Sequence, residues 1–496
     1  MNPRSRPRAV LVTVWRTGGP NTCRGGHTRR RSSLVRTRRV LVGGVGALVA
    51  IGLVTGYVAA DARGLVPGPF TTDAPWPEAE PFPTPTISTP LPAAAVLPSL
   101  DDSAPVPTAA GLADAVAALR ARPEVGTPPG LIVVDAASGD VLADADAHAA
   151  RLPASTTKVL TAAAAVSTLD LEATLPTTAR LDGDTLYLVG GGDMALAAGA
   201  GDPSAVLGRA GLGDLADRTV AALQAAGTTS VALRFDDTLF DRTPRAQGWS
   251  EIDLSGGFVA PIQAMGIMLG VVDGQVRRDS TPSDTAAETF AQALRDRGIE
   301  VREGPSRSFV PDGATEVARV ESAPLVDLLD LAMADSSNTL TEVFGRLVAV
   351  DAGLPATFEG AASGVLNAVA NLGIDVTGTS LADTSGLSSL NRISPRLLAD
   401  VLVKAATDPQ LRPLVVALPV AGLEGTLAGR SLDDGLVRAK TGTLPSVVSL
   451  AGYTPTADGR LLVFAVIADG VPTAGSYAAR LEIDAWVRSL TACGCS

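Results

Sequence analysis

The sequence is poor in the residues that most often carry enzyme chemistry. Its 496 residues hold two histidines, His27 and His148, and three cysteines, Cys23, Cys493 and Cys495. His27 falls in a basic N-terminal arm, so one histidine is left for the folded part, and a histidine-rich zinc site is excluded. A Ser-His-Asp triad would rest on His148 alone, which stands in an Asp/Ala-rich stretch that reads as an exposed turn. Cys493-Gly-Cys495 closes the chain at a spacing too short for a relaxed disulfide and without the partners of a metal site, so these cysteines are given no role. Aromatics, at 4%, are too few to build a core, which falls to Ala, Val and Leu.

Lysine is the scarcest of the charged residues. Lys158, Lys404 and Lys440 stand against 37 arginines. Arginine does not deprotonate, so a chain that otherwise writes its positive charge as arginine marks with lysine the places that need an amine. Two of the three fall in Ser155-x-x-Lys158 and Lys440-Thr-Gly442. Net charge is −12, and the first 39 residues hold 11 arginines and no acid, so the remainder is more acidic still. Such a surface excludes nucleic acid as a partner.

What is present centres on residues 152–166, a proline followed by a small-residue run that reads as a helix start at Ser155. Lys158 then lies three residues on, on the same face, with its amine in reach of the serine hydroxyl. The Ala/Val/Leu run is helical and apolar enough to be buried, and a buried lysine has its pKa lowered toward that of a working base. Serine and amine together read as a nucleophile and its general base.

Around this stretch the chain divides by composition. Residues 1–39 form a basic arm, expected on the cytoplasmic side. Residues 40–60 are 21 residues without charge, bracketed by Arg36, Arg38 and Arg39 before and Asp61 after, and read as a transmembrane anchor or a signal segment with the remainder outside the cytoplasm. Residues 61–110 hold 12 of the 35 prolines and read as a spacer. From 111 the pattern predicts a helix at 112–120, a hairpin at 131–142 and the Ser155 helix. Short strands and turns over 171–255 are expected to be an inserted smaller domain. The catalytic domain would then be 111–170 with 256–496. Near the end, strands at 435–443, 447–453 and 461–468 precede a closing helix at 475–490. The last two strands are nearly continuous apolar runs, as expected for a sheet covered by helices on both faces, so the fold class is α/β (α+β). Lys440 and Thr441 would sit at the sheet edge beside Gly442, which permits close backbone approach.

Ser336-Ser-Asn338 lies 181 residues after Ser155, and Lys440 a further 104 on. A second Ser-x-Asn occurs at Ser389-Leu-Asn391; Ser336 is preferred because it falls between two apolar helical runs, in an interhelical turn facing a cleft. The ordered trio resembles the signature of the serine penicillin-recognising enzymes. Within that group the chain is similar, over about 111–490, to the D-alanyl-D-alanine carboxypeptidase/endopeptidase family of low-molecular-mass class C penicillin-binding proteins. The likeness is carried by Pro153-Ala-Ser-Thr-Thr-Lys158, Leu186-Tyr-Leu-Val-Gly-Gly-Gly-Asp193, Phe235-Asp-Asp237 with Gly248-Trp249 and Ala260-Pro261, Asp383-Thr-Ser-Gly-Leu-Ser388 with Asn391, Gly425-Thr-Leu-Ala428, and Arg438-Ala-Lys-Thr-Gly-Thr-Leu444.

The resemblance implies a penicillin-binding-protein/β-lactamase-like transpeptidase fold, an antiparallel sheet covered by helices with one inserted domain. It implies cleavage of peptidoglycan stem peptides through an acyl-enzyme on Ser155, with Lys158 as general base and β-lactams as inhibitors. Ser336 and Asn338 would relay the proton and hold the substrate amide. Lys440, Thr441 and Thr443, beside Gly442, would bind the terminal carboxylate, and the N–H groups of Ser155 and Thr443 would form the oxyanion hole. No metal or organic cofactor is implied. Two positions depart from the family's usual pattern: Ser337 stands where Asp is frequent, and Ser389 where Arg is frequent. Asp253 is a candidate contact for a side-chain amine of the stem. A β-lactamase-like hydrolase and a non-catalytic penicillin-sensing or wall-binding protein are the competing readings.

Overall fold

The computed structural model describes residues 52–62, 103–272 and 275–494. Two units divide the chain, Met1–Ala95 and Val96–Ser496. In the first unit 52–62 is helical, and no helix among the described residues is long and apolar enough to cross a membrane. Most of the predicted 40–60 span, the basic arm, and the spacer from 63 to 102 lie outside the described residues.

The second unit begins with α1 (Ala109–Arg120), capped by the Thr108 hydroxyl, which accepts from the Gly111 N–H. Strands β1 (Gly130–Asp135) and β2 (Val141–Ala145) follow, then a 3-10 turn, Ala154–Thr157, that opens α2 (Lys158–Thr168). The next stretch holds β3 (Pro176–Asp182), β4 (Thr185–Gly190), β5 (Asp193–Leu196), α3 (Leu212–Ala225), β6 (Ser230–Asp236), α4 (Glu251–Ser255) and β7 (Met265–Ile267). It continues with α5 (Pro282–Asp296), β8 (Glu300–Val301), β9 (Ser306–Arg307) and β10 (Thr315–Glu321). Helices α6 (Leu325–Ala334), α7 (Asn338–Asp351), α8 (Phe358–Asn371), α9 (Pro395–Thr407) and α10 (Arg412–Ala417) come next. Strands β11 (Arg438–Leu444), β12 (Val447–Pro455) and β13 (Leu461–Ala468) and helix α11 (Ser476–Thr491) close the unit.

The last three strands and the first two form one antiparallel sheet in the order β11-β12-β13-β1-β2. Side chains alternate faces along a strand, and here both faces are buried. Along β13, Leu462, Phe464 and Val466 join Leu112, Leu119, Ile483, Trp486 and Leu490 of α1 and α11, while Val463, Ala465 and Ile467 face the larger core that contains α2 and α9. Each large apolar side chain so buried contributes about 1.5–3 kcal/mol relative to exposure. The continuous apolar runs in the sequence have this cause, and the antiparallel sheet covered by helices is the predicted fold.

A second sheet runs β10-β3-β4-β6-β8, with β9 also on β6. Leu186, Leu188 and Leu233 from its strands pack against Leu215 and Leu223 of α3 and Phe290 and Leu294 of α5. The predicted insertion of 171–255 is therefore too short, because this sheet ends at Glu321 with β10. The interval 171–255 is also interrupted, since Leu175, Met194, Phe240 and Trp249 belong to the core around α2. Pairing of β10 with β3 is a long-range event that local pattern does not display. Cys493, whose spacing argued against a relaxed disulfide with Cys495, is disulfide-bonded.

Candidate active site

The helix predicted to start at Ser155 starts instead at Lys158, and Ser155 lies in the preceding 3-10 turn. In a 3-10 turn side chains three apart eclipse one another, so the change brings the pair closer. Lys158 Nζ lies 3.1 Å from Ser155 Oγ. Ala154 has φ +50°, a left-handed conformation unusual for a residue with a Cβ. The turn is held in it by the Pro153 carbonyl, which accepts from Ser449 Oγ of β12 at 2.6 Å and from Thr156 Oγ1 at 2.7 Å.

Lys158 is 0% exposed, while Ser155 is half-buried. Its Nζ is also 2.6 Å from Asn338 Oδ1 and 2.6 Å from the Ser385 carbonyl. Those two oxygens can only accept, so they take N–H groups from the amine, whereas the Ser155 hydroxyl can also donate. Burial pushes the Lys158 amine down to about 7, against the upward pull of Asp383 and Glu342. A neutral Lys158 therefore satisfies both carbonyls and keeps its lone pair for Ser155.

The other two motifs converge on this pair. Ser336, at φ +56°, breaks the helical run between α6 and α7. Ser337, at the position where the family often has Asp, caps α7, its hydroxyl accepting from the Leu340 N–H at 3.3 Å. Asn338 Nδ2 donates to the Phe258 carbonyl at 3.0 Å, which fixes the amide with Oδ1 toward Lys158. Lys440, also 0% exposed, donates to Ser336 Oγ at 2.9 Å and to the Thr441 carbonyl at 3.0 Å. Burial pushes its amine well below the ordinary range, and the charges of Lys158 and Arg430 push the same way.

β11 is the sheet's edge strand and passes close to the nucleophile. A Cβ on Gly442 would stand 2.2 Å from Ser449 Oγ, 2.8 Å from the Pro153 carbonyl oxygen and 3.0 Å from the Ser155 nitrogen. Glycine is what allows this strand against the Ser155 turn. Thr441 Oγ1 donates to Thr426 Oγ1 at 2.9 Å, and Thr443 is exposed. A cleft of about 880 Å³ opens on the Ser336–Asn338 side, bounded also by Phe258, Met268, Val271 and Arg278. Asp253 does not line it. This residue completes a capping box on α4, its Oδ2 accepting from the Ser250 N–H at 2.6 Å and from the Ser250 hydroxyl at 2.8 Å. His148 is exposed.

Of the residues that support this site, the sequence marks Asp383, Asn391 and Ser389 through the family likeness alone and does not single out Glu342. Asn391 of the second Ser-x-Asn is buried, its Nδ2 donating to Asp383 Oδ1 at 2.6 Å, and Ser389 Oγ donates to the Gly248 carbonyl. Glu342 is wholly buried one helical turn beyond Asn338. The spacing of Asn338, Glu342 and Arg346, four apart on one helix, is the signal that was available: a polar stripe along an otherwise apolar helix.

A serine in a strained turn at a helix start, a buried lysine against its hydroxyl, and a second buried lysine on the edge strand packed against that turn define a serine penicillin-recognising enzyme. The chain belongs to the D-Ala-D-Ala carboxypeptidase 3 (S13) family, which matches residues 112–281 and 273–490. A carboxypeptidase DacB of Mycolicibacterium smegmatis is 39% identical over 409 residues, covering 78% of this chain and 85% of its own. The crystal structure of penicillin binding protein 4 of Haemophilus influenzae has the same fold, with a TM-score of 0.63 at 24% identity over 76% of this chain and 98% of its own. The same protein complexed with a novel β-lactam matches at a TM-score of 0.56 and 23% identity, over 76% and 99%. The protein is a serine hydrolase, a D-alanyl-D-alanine carboxypeptidase.

Proposed function

We propose that the protein releases the terminal D-alanine of peptidoglycan stem peptides through an acyl-enzyme on Ser155, and that penicillins acylate the same serine. One observation carries the assignment of roles: the buried Lys158 amine, fixed between two carbonyl oxygens, lies 3.1 Å from the Ser155 hydroxyl. Lys158 takes the hydroxyl proton as Ser155 Oγ attacks the carbonyl carbon of the D-Ala-D-Ala bond. The developing oxyanion is held by the N–H groups of Ser155 and Thr443. Ser336, hydrogen-bonded by Lys440, relays the proton taken by Lys158 to the leaving amine, so that its own hydroxyl is restored as it donates. Asn338 offers its remaining Nδ2 hydrogen to the substrate's backbone carbonyl. Lys440, Thr441 and Thr443 bind the terminal carboxylate, an anion that compensates the second buried lysine. Water then hydrolyses the ester and frees Ser155.

Asp253 spends Oδ2 on its own helix and keeps Oδ1 for a side-chain amine of the stem. The same reading places the catalytic unit outside the cytoplasm, tethered through 40–60; it is supported by the 21 uncharged residues there and the arginines before them. Because Lys158 acts as a base only when neutral, acylation should rise with pH through about 7 and level off above it.

The test is intact-mass analysis of the purified protein after a fluorescent penicillin, with incubation in parallel with a pentapeptide ending in D-Ala-D-Ala. An adduct on Ser155 together with loss of one alanine is expected, and Ser155→Ala should give neither. Absence of any adduct overturns the assignment of Ser155.

A further inference from the structure

Two buried carboxylates, Asp383 within the 383–388 strap and Glu342 packed against it, take no part in the steps above. Asp383 is committed to the fold. Its Oδ1 accepts from the Gly386 N–H at 2.9 Å and from Asn391 Nδ2 at 2.6 Å, and its Oδ2 from Trp249 Nε1 at 2.7 Å and the Ser388 N–H at 2.6 Å. Glu342 is placed differently. Its Oε1 accepts from the N–H groups of Thr384 at 3.1 Å and Ser385 at 2.8 Å, and its Oε2 from Thr384 Oγ1 at 2.9 Å. The carbonyl of that same Ser385 accepts from Lys158 Nζ at 2.6 Å. A single residue thus joins a buried carboxylate to the base. The helix is cut away to admit it: a Cβ on Gly345 would stand 2.5 Å from Thr384 Oγ1.

We propose that Glu342 is a positioning residue for acylation, which fixes the Ser385 carbonyl that orients Lys158 and, by its own ionisation, sets the pH range over which Lys158 is a working base. The inference rests on Lys158 as general base. Glu342 is faced by Asp383 from the strap and by Arg346 from its own helix, and Arg346 in turn by Asp241 and Glu359. Lys158 is faced by Glu342 and Asp383, and across the site by the Lys440 amine, which burial and the Lys158 charge together push well below the ordinary range. Burial raises the Glu342 carboxyl to about 7, with the Asp383 charge adding to the shift, and burial lowers Lys158 to about 7. Two groups that titrate together and interact bind their protons in a spread, coupled manner. As pH falls, a proton arriving on Glu342 removes a negative charge from beside Lys158. The amine then stays neutral further into acid than it would beside a fixed carboxylate.

The experiment is the pH dependence of kcat/KM for alanine release and of acylation by a fluorescent penicillin, in the wild-type enzyme and in Glu342→Gln. Glutamine keeps an oxygen for the Ser385 N–H and loses the charge. Wild type should give an acidic limb broader than a single ionisation. The variant should give a single-ionisation limb displaced by about one pH unit to lower pH, since Asp383 is then the one carboxylate left to favour a proton on Lys158. Thermal unfolding establishes that the variant is folded; the wild-type profile is informative even if it is not. A wild-type limb that fits one ionisation, or a folded Glu342→Gln with an unmoved limb, overturns the proposal. A wild-type enzyme that neither acylates nor releases alanine would instead overturn the assignment of Ser155 and Lys158, so the two failures are distinct.

Discussion

In the second sheet Leu186, Leu188, Leu233, Phe290 and Leu294 fill the interior, and the arginines Arg297, Arg302 and Arg319 reach acids from the surface. Around Ser155 the interior itself holds Lys158, Lys440, Glu342 and Asp383, all 0% exposed. An apolar core is stabilised by every residue added to it, whereas a buried charge is tolerated only where hydrogen bonds and facing charges replace the water it has lost. The first region is therefore arranged for stability. In the second, buried ionisable groups hold a base near neutrality, and the fold carries the cost through the strap, the Pro153 turn and the edge strand.

If that division is right, substitutions should separate stability from acylation. The largest effect is expected in the core between the second sheet and α5: Phe290→Ala should destabilise by about 3–5 kcal/mol in urea denaturation, yet leave the acylation rate of the folded fraction unchanged. A comparable fall in acylation would show that the two regions are not independent. Gly442→Ala should do the reverse, slowing acylation by a fluorescent penicillin about 100-fold by pushing β11 off the Ser155 turn. Its unfolding midpoint should move far less than that of Phe290→Ala. Asp253→Asn sharpens the comparison outside the cleft lining: KM for a stem peptide with a free side-chain amine should rise about two- to fivefold, and not at all when that amine is acylated. Smallest of all, Lys404→Ala removes a half-buried surface ion pair with Asp408, and neither acylation nor thermal unfolding should change measurably. It is the control that separates lysine as a base from lysine as surface charge.

Much of the fold was legible because it rests on local pattern. The strand at 461–468 and the closing helix follow from apolar runs and periodicity, and the structure places them at Leu461–Ala468 and Ser476–Thr491. The extent of the second sheet was not legible, because β10 joins it only by pairing with β3 across the length of the insertion. At the site, scarcity made the lysines visible. Glu342 shows in the sequence only as one member of a polar stripe with Asn338 and Arg346, because an acid within an apolar helix carries no mark of which partner it will meet.

By itself the sequence determined which chemistry was available. Three lysines among 37 arginines, two of them in motifs with Ser155 and Thr441, left little else to act as base and anion-binding cation. Tertiary structure decided how those groups behave. The 3-10 turn that brings Ser155 to 3.1 Å from Lys158, the burial that lowers the amine to about 7, and the Ser385 link from Glu342 to that amine all depend on packing between segments far apart in the chain. A pKa is set by the solvent a group has lost and the charges it faces, and neither is written in a residue's neighbours along the chain.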